Sequence, residues 1–79
     1  MRELPDDFAE TLARVLVPRQ REAAAEIIEA ATLLDDVALR RFLQLFAARV
    51  RSSDVPIRAG ELRRFLDRAA RERPPQDAP

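Results

Sequence analysis

From Phe8 to Ala69 the apolar residues of this chain recur three and four positions apart, and no segment alternates apolar with polar residues as a half-buried strand would. That spacing lays an apolar stripe along each of several helices and gives a sheet nothing to build on. The single glycine, Gly60, stands apart from any dipeptide that would turn a hairpin. The expected fold is all-α, a small single-domain bundle of about four helices over residues 1–73. A disordered proline-rich tail is expected at 74–79, where Pro-Pro-Gln-Asp-Ala-Pro cannot continue a helix.

The first helix is expected from Pro5 or Asp7 to Leu16, with Phe8, Leu12, Val15 and Leu16 as its buried stripe. Asp7 followed three residues later by Glu10 reads as a capping box, Asp6 adds charge at the positive helix end, and Leu4 is placed to pack back as a staple. Pro18 ends this helix and opens a second, over about 18–31, because a proline lacks only an N–H that the first turn leaves unpaired. The most apolar segment is 36–51, where Leu45, Ala38, Phe42, Phe46, Leu39, Val50 and Leu43 fill an arc of about 160°, wider than the stripe of an ordinary surface helix. Such a helix is central to the bundle or covered by a partner on a second side. Arg49 falls inside that arc and must either snorkel to water or pair with an acid.

No Gly or Pro occurs between residues 19 and 55, so two arrangements stay open for the middle of the chain. The helix breaks near Thr32, with Thr32 and Asp35 as a capping box or Asp35 or Asp36 as a new cap, or one long helix runs over about 19–51. The last helix is expected over about 57–72 behind an Asp54 cap. Leu62, Phe65, Leu66 and Ala69 then face inward and Arg63, Arg64, Arg68 and Arg71 outward. Gly60 is read as a first-turn residue where backbone packs closely, not as part of a phosphate loop.

A chain of 79 residues supports only a modest core, in a range where apolar burial often leaves just ~3–5 kcal/mol of net stability. It has no Cys for disulfides, and without Cys or His a structural zinc site lacks its ordinary ligands. Oligomerisation or docking on a partner protein is therefore the expected source of further stability.

The chemistry of most enzymes is missing. With no His, Cys, Lys or Tyr, the chain lacks the commonest general base, the thiolate nucleophile, the Schiff-base amine and the phenolic acid, so no catalytic activity and no cofactor are expected. The pairs Asp6-Asp7 and Asp35-Asp36 sit where helices should begin and read as caps, not metal ligands. Neither a signal-peptide pattern nor a membrane-length apolar run is visible, and a soluble, cytoplasmic setting is expected.

The formal charge of zero hides a split. Residues 1–36 hold four arginines against nine acids, and residues 37–73 hold ten arginines against four. Every basic residue is Arg, which GC-rich codon usage alone can produce, yet each exposed one still offers a planar fork to a carboxylate or phosphate. Leu45, Arg49, Arg63, Arg64 and Arg68 are the candidate partner-binding residues, joining apolar burial to Arg–carboxylate pairing. Arg40, Arg41, Arg51 and Arg71 are candidate phosphate or DNA contacts. Without Trp or Tyr, and with the four Phe facing inward, stacking on single-stranded nucleic acid has no support.

The first functional reading is a noncatalytic helical interaction module, an adaptor or small regulatory subunit acting by homo- or hetero-oligomerisation. The alternative comes from Arg51-Ser-Ser-Asp-Val-Pro-Ile-Arg-Ala-Gly-Glu-Leu-Arg-Arg-Phe-Leu66, which resembles the second loop and last helix of histone-fold proteins. That resemblance implies an obligate dimer contacting DNA through loops and helix ends, and it requires the long 19–51 helix. Pro56 stands where the family favours Thr, and its Lys-rich character is absent.

Overall fold

The computed structural model describes Leu4 and residues 7–72. The expected tail at 74–79 and the charge of Asp6 lie outside the described residues. Four helices form, α1 (Phe8–Val15), α2 (Ala23–Thr32), α3 (Asp36–Ser52) and α4 (Ala59–Arg71), with no strand among the described residues. The fold is a small all-α domain.

The middle of the chain breaks. Asp35 has extended backbone and its Oδ1 accepts the Ala38 N–H at 2.8 Å, supplying one of the donors that the first turn of α3 leaves without a partner. Thr32 does not cap forward; its hydroxyl donates back to the Glu29 carbonyl at 2.7 Å, at the end of α2. The histone-like long helix over 19–51 is therefore not formed. A short polar cap decides here because both flanking apolar stripes must turn toward one core.

Two expected helix starts fall elsewhere, and a third keeps its place without its expected cap bond. Asp7 flanks α1 but makes no side-chain cap hydrogen bond, so its expected box with Glu10 does not form. Pro18 opens only a 3₁₀ turn over Pro18–Gln20, and α2 begins at Ala23. Asp54 does not cap α4. Its first turn is instead capped from across the molecule, where the Gln20 side-chain oxygen accepts the Ala59 N–H at 2.7 Å. The segment before α4 is held as a parallel bridge beside Leu16, with Ile57 N–H donating to the Val15 carbonyl at 2.8 Å and Val17 N–H to the Ile57 carbonyl at 2.9 Å.

The core joins all four helices through Phe8, Leu12, Ile27, Ala31, Leu39, Phe42, Phe46 and Leu62, with Leu16 and Ile57 from the bridged segments. Leu4 packs against this core. Phe8 of α1 meets Phe42 and Phe46 of α3 edge-on, at centroid separations of 6.1 and 5.3 Å. Such T-shaped pairs place the positive ring edge on the negative ring face. α4 packs on α3 and α2, and α1 on α2.

Gly60 lies in the first turn of α4 as expected, but without the close packing expected of it. A Cβ there would meet nothing within 4 Å, and its φ is not positive, so neither close packing nor backbone conformation requires glycine. Gly60→Ala is expected to raise stability by roughly 0.4–1 kcal/mol, chiefly by restricting the unfolded chain. A urea unfolding midpoint that fails to rise would show that the first turn of α4 does not behave as an ordinary helix position.

Candidate functional site

The wide apolar arc of α3 has two edges, and they meet different neighbours. On the edge that carries Leu45 and Arg49, Arg49 Nε donates to Glu61 Oε2 of α4 at 2.7 Å. Arg41, also on this side, donates to Glu72 Oε1 at 2.9 Å. Residues 41 and 49 ascend α3 while their partners 72 and 61 descend α4, so the two helices run antiparallel and are clasped at both ends. Leu45 itself is half-buried and is not among the hydrophobics packed against the core.

The opposite edge carries Leu43 and Val50 and faces α1. Here length decides: α3 has 17 residues, about 25 Å of helix, and α1 has 8, about 12 Å. A two-turn helix cannot cover a face nearly five turns long. The uncovered part is an open groove of about 460 Å³ floored by Phe8, Leu43, Phe46, Ala47 and Val50, with Asp7 and Thr11 on one rim and Arg51 on the other. A second hollow of about 300 Å³ shares Val50 with it and continues to Arg14 and Val55, the latter 64% exposed.

The arginines expected to form a binding face are largely occupied within the chain. Arg63 pairs with Glu26 at 3.2 Å, Arg68 with Glu72 at 2.6 Å and Arg71 with Asp67 at 3.2 Å, besides the Arg41 and Arg49 pairs. Among the described residues, Arg40, Arg51 and Arg64 form no ion pair. Arg40 and Arg51 share one face of α3 but stand about 17 Å apart along its axis. The candidate residues are thus divided among a structural clasp at Arg41, Arg49 and Arg68, exposed pairs at Arg63 and Arg71, and isolated cations at Arg40, Arg51 and Arg64. Exposed pairs such as Arg63–Glu26 contribute at most about 1 kcal/mol each.

Among the described residues, Glu72 is the carboxylate whose pKa departs clearly from its ordinary value. Hydrogen bonds from Arg68, then from Arg41, hold its carboxyl below the usual glutamate range. Because the folded-state pKa is depressed, the stabilisation is present above the unfolded-state value, about 4.3, and is lost as pH falls through the folded-state value. Glu72→Gln is expected to flatten the acid limb of a stability-versus-pH curve below that point. Equal acid sensitivity in the two proteins, measured by urea unfolding from pH 6 downward, would show that the clasp contributes nothing to folding.

Asp35 caps α3 and Asp36 lies in its first turn. No group of three carboxylates placed to hold a metal ion occurs among the described residues. Among them, too, no helix is long and apolar enough to cross a membrane. Compared with known proteins, the chain matches no family model, no curated protein and no solved structure.

Sequence reasoning put partner binding on the wide face of α3 and on Leu45, Arg49, Arg63, Arg64 and Arg68, and did not single out the groove beside α1. The arc itself was visible, but nothing in it says which edge a neighbouring helix will cover. The short span between the Asp7 and Pro18 boundaries was the available signal, since it limits α1 to about two turns.

Proposed function

We propose that this protein is a noncatalytic helical interaction module, an adaptor or small regulatory subunit whose docking surface is the groove between α1 and α3. The observation that carries the reading is the length mismatch: two turns of α1, meeting α3 through Phe8, leave Leu43, Ala47 and Val50 of its nearly five turns lining an open groove. An apolar cleft with charged rims is the receptor half of helix-in-groove recognition, in which residues spaced three and four apart on a second helix enter the cleft. Binding there would also supply the burial that a small chain without disulfides lacks.

Ala47 provides the test because it is exposed, so a charge at this position disturbs the groove without entering the core. Ala47→Glu is expected to keep the wild-type melting temperature and to lose the bound protein, whether another copy or a different chain. A control glutamate at exposed Ala25 of α2 should retain it. The readout is stoichiometric co-purification from the native host together with mass in solution. A partner held equally by the Ala47→Glu variant, or a strict monomer that holds none, overturns the reading.

A further inference from the structure

Resting on that reading, we infer that the occupant of the α1–α3 groove is a second copy of the same chain, docked across a twofold axis with the two α1 helices antiparallel. The reason is the sign and position of the rim charges. Along the exposed face of α1, Asp7 and Glu10 stand at the N-terminal end and Arg14 at the C-terminal end, and Arg51 of α3 completes the groove rim. All four are exposed, and none forms an ion pair within the described chain. Between α3 and α4, by contrast, Arg41, Arg49 and Arg68 have carboxylate partners, and among the described residues the unpaired cations of those helices besides Arg51 are Arg40, Arg58 at the start of α4, and Arg64.

Helix α1 carries two unpaired acids at one end and unpaired Arg14 at the other, so it is complementary to itself after a half-turn, while Arg51 lies across the groove from Asp7 and exposed Asp54 lies beside Arg14. Reversing α1 about Thr11 sets Arg14 of each copy beside Asp7 and Glu10 of the other, and a twofold contact makes every such pair twice. The apolar floor of each groove is closed by the same operation, which brings Ala47 and Val50 of the two copies toward one seam. A partner with a uniformly basic or uniformly acidic helix would satisfy only one end of the rim. The groove is small and belongs with weak interfaces, those burying below about 1,200 Å² in total. Association is therefore expected at protein concentrations on the order of 0.1 mM.

The experiment is sedimentation equilibrium of three full-length proteins at low and physiological salt. Wild type is expected to approach twice the monomer mass as concentration rises, and to dissociate more readily at high salt, since exposed charge pairs are screened. Arg14→Glu with Arg51→Glu makes the rim acidic, and Asp7→Asn with Glu10→Arg makes it basic while keeping a helix-capping residue at position 7. Each variant alone should remain a folded monomer by circular dichroism, and their equimolar mixture should regain the dimer mass. Wild type that stays monomeric at the highest concentration, variants that self-associate like wild type, or a mixture that stays monomeric would each overturn the second-copy assignment. The interaction-module reading is decided separately, by whether Ala47→Glu loses a partner that wild type holds.

Discussion

Truncating Phe42 to alanine is expected to remove about 3–5 kcal/mol of stability, the range for deleting a large aromatic from a packed core. Phe42 is fully buried, packs edge-on against Phe8 of α1 and lies 6.4 Å from the Phe46 ring. It therefore joins the helix that frames the groove to the helix that floors it. A chain of this length has a total stability on the order of 4–12 kcal/mol, so the loss is a large share of the whole. For a domain of this size each kilocalorie moves the melting temperature by about 4–8 °C, and the variant should melt tens of degrees lower or fail to fold cooperatively. Val55→Ser, at a residue 64% exposed, should shift stability by no more than about 0.5 kcal/mol. A thermal melt in which the Phe42→Ala variant loses less than about 1 kcal/mol would mean that α1 is not held by the aromatic cluster.

That aromatic cluster was legible from spacing alone, because Phe42 and Phe46 share a face with Leu39 and Phe8 sits on the stripe of the first helix. The periodicity reports which side of each helix is apolar, and burial follows from it directly. What periodicity lacks is the identity of the neighbour. The Gln20 side chain caps α4 across 39 residues of sequence, and no local pattern marks a glutamine in a turn as the cap of a distant helix. In the same way, the expected Asp54 cap followed from a local rule, but pairing Ile57 beside Leu16 moves the start of α4 to Ala59. The arginines show the limit most plainly. Their exposure could be read from the helical wheel, whereas the partners of Arg41, Arg49 and Arg63 come from helices 12 to 37 residues away. An apparent basic face thus became mostly clasps, and the apolar groove emerged from the relative lengths of two helices.

The Arg49–Glu61 clasp gives an asymmetric pair of expected results. The Arg49 side chain is 18% exposed and Glu61 31%, and the Arg49 Nη1 is buried with no hydrogen-bond partner. Glu61→Ala would leave a mostly buried guanidinium with neither its Nε bond nor a counter-charge. The expected loss is about 2–3 kcal/mol, below the 3–5 of a fully buried pair because Arg49 keeps some contact with water. Arg49→Met removes the cation and the orphaned donor together, while the unbranched methionine still fills the space of the arginine stem. Glu61 is exposed enough to recover hydration, so this variant should lie within about 1 kcal/mol of wild type. In the double variant, Glu61→Ala has no buried charge to strand, and its cost should largely vanish, giving a coupling of about 2 kcal/mol. Urea unfolding of the four proteins measures all of these terms. Equal losses for the two single variants would show that Arg49 escapes to solvent when Glu61 is removed. Both losses would then reflect lost packing between α3 and α4 in place of charge burial.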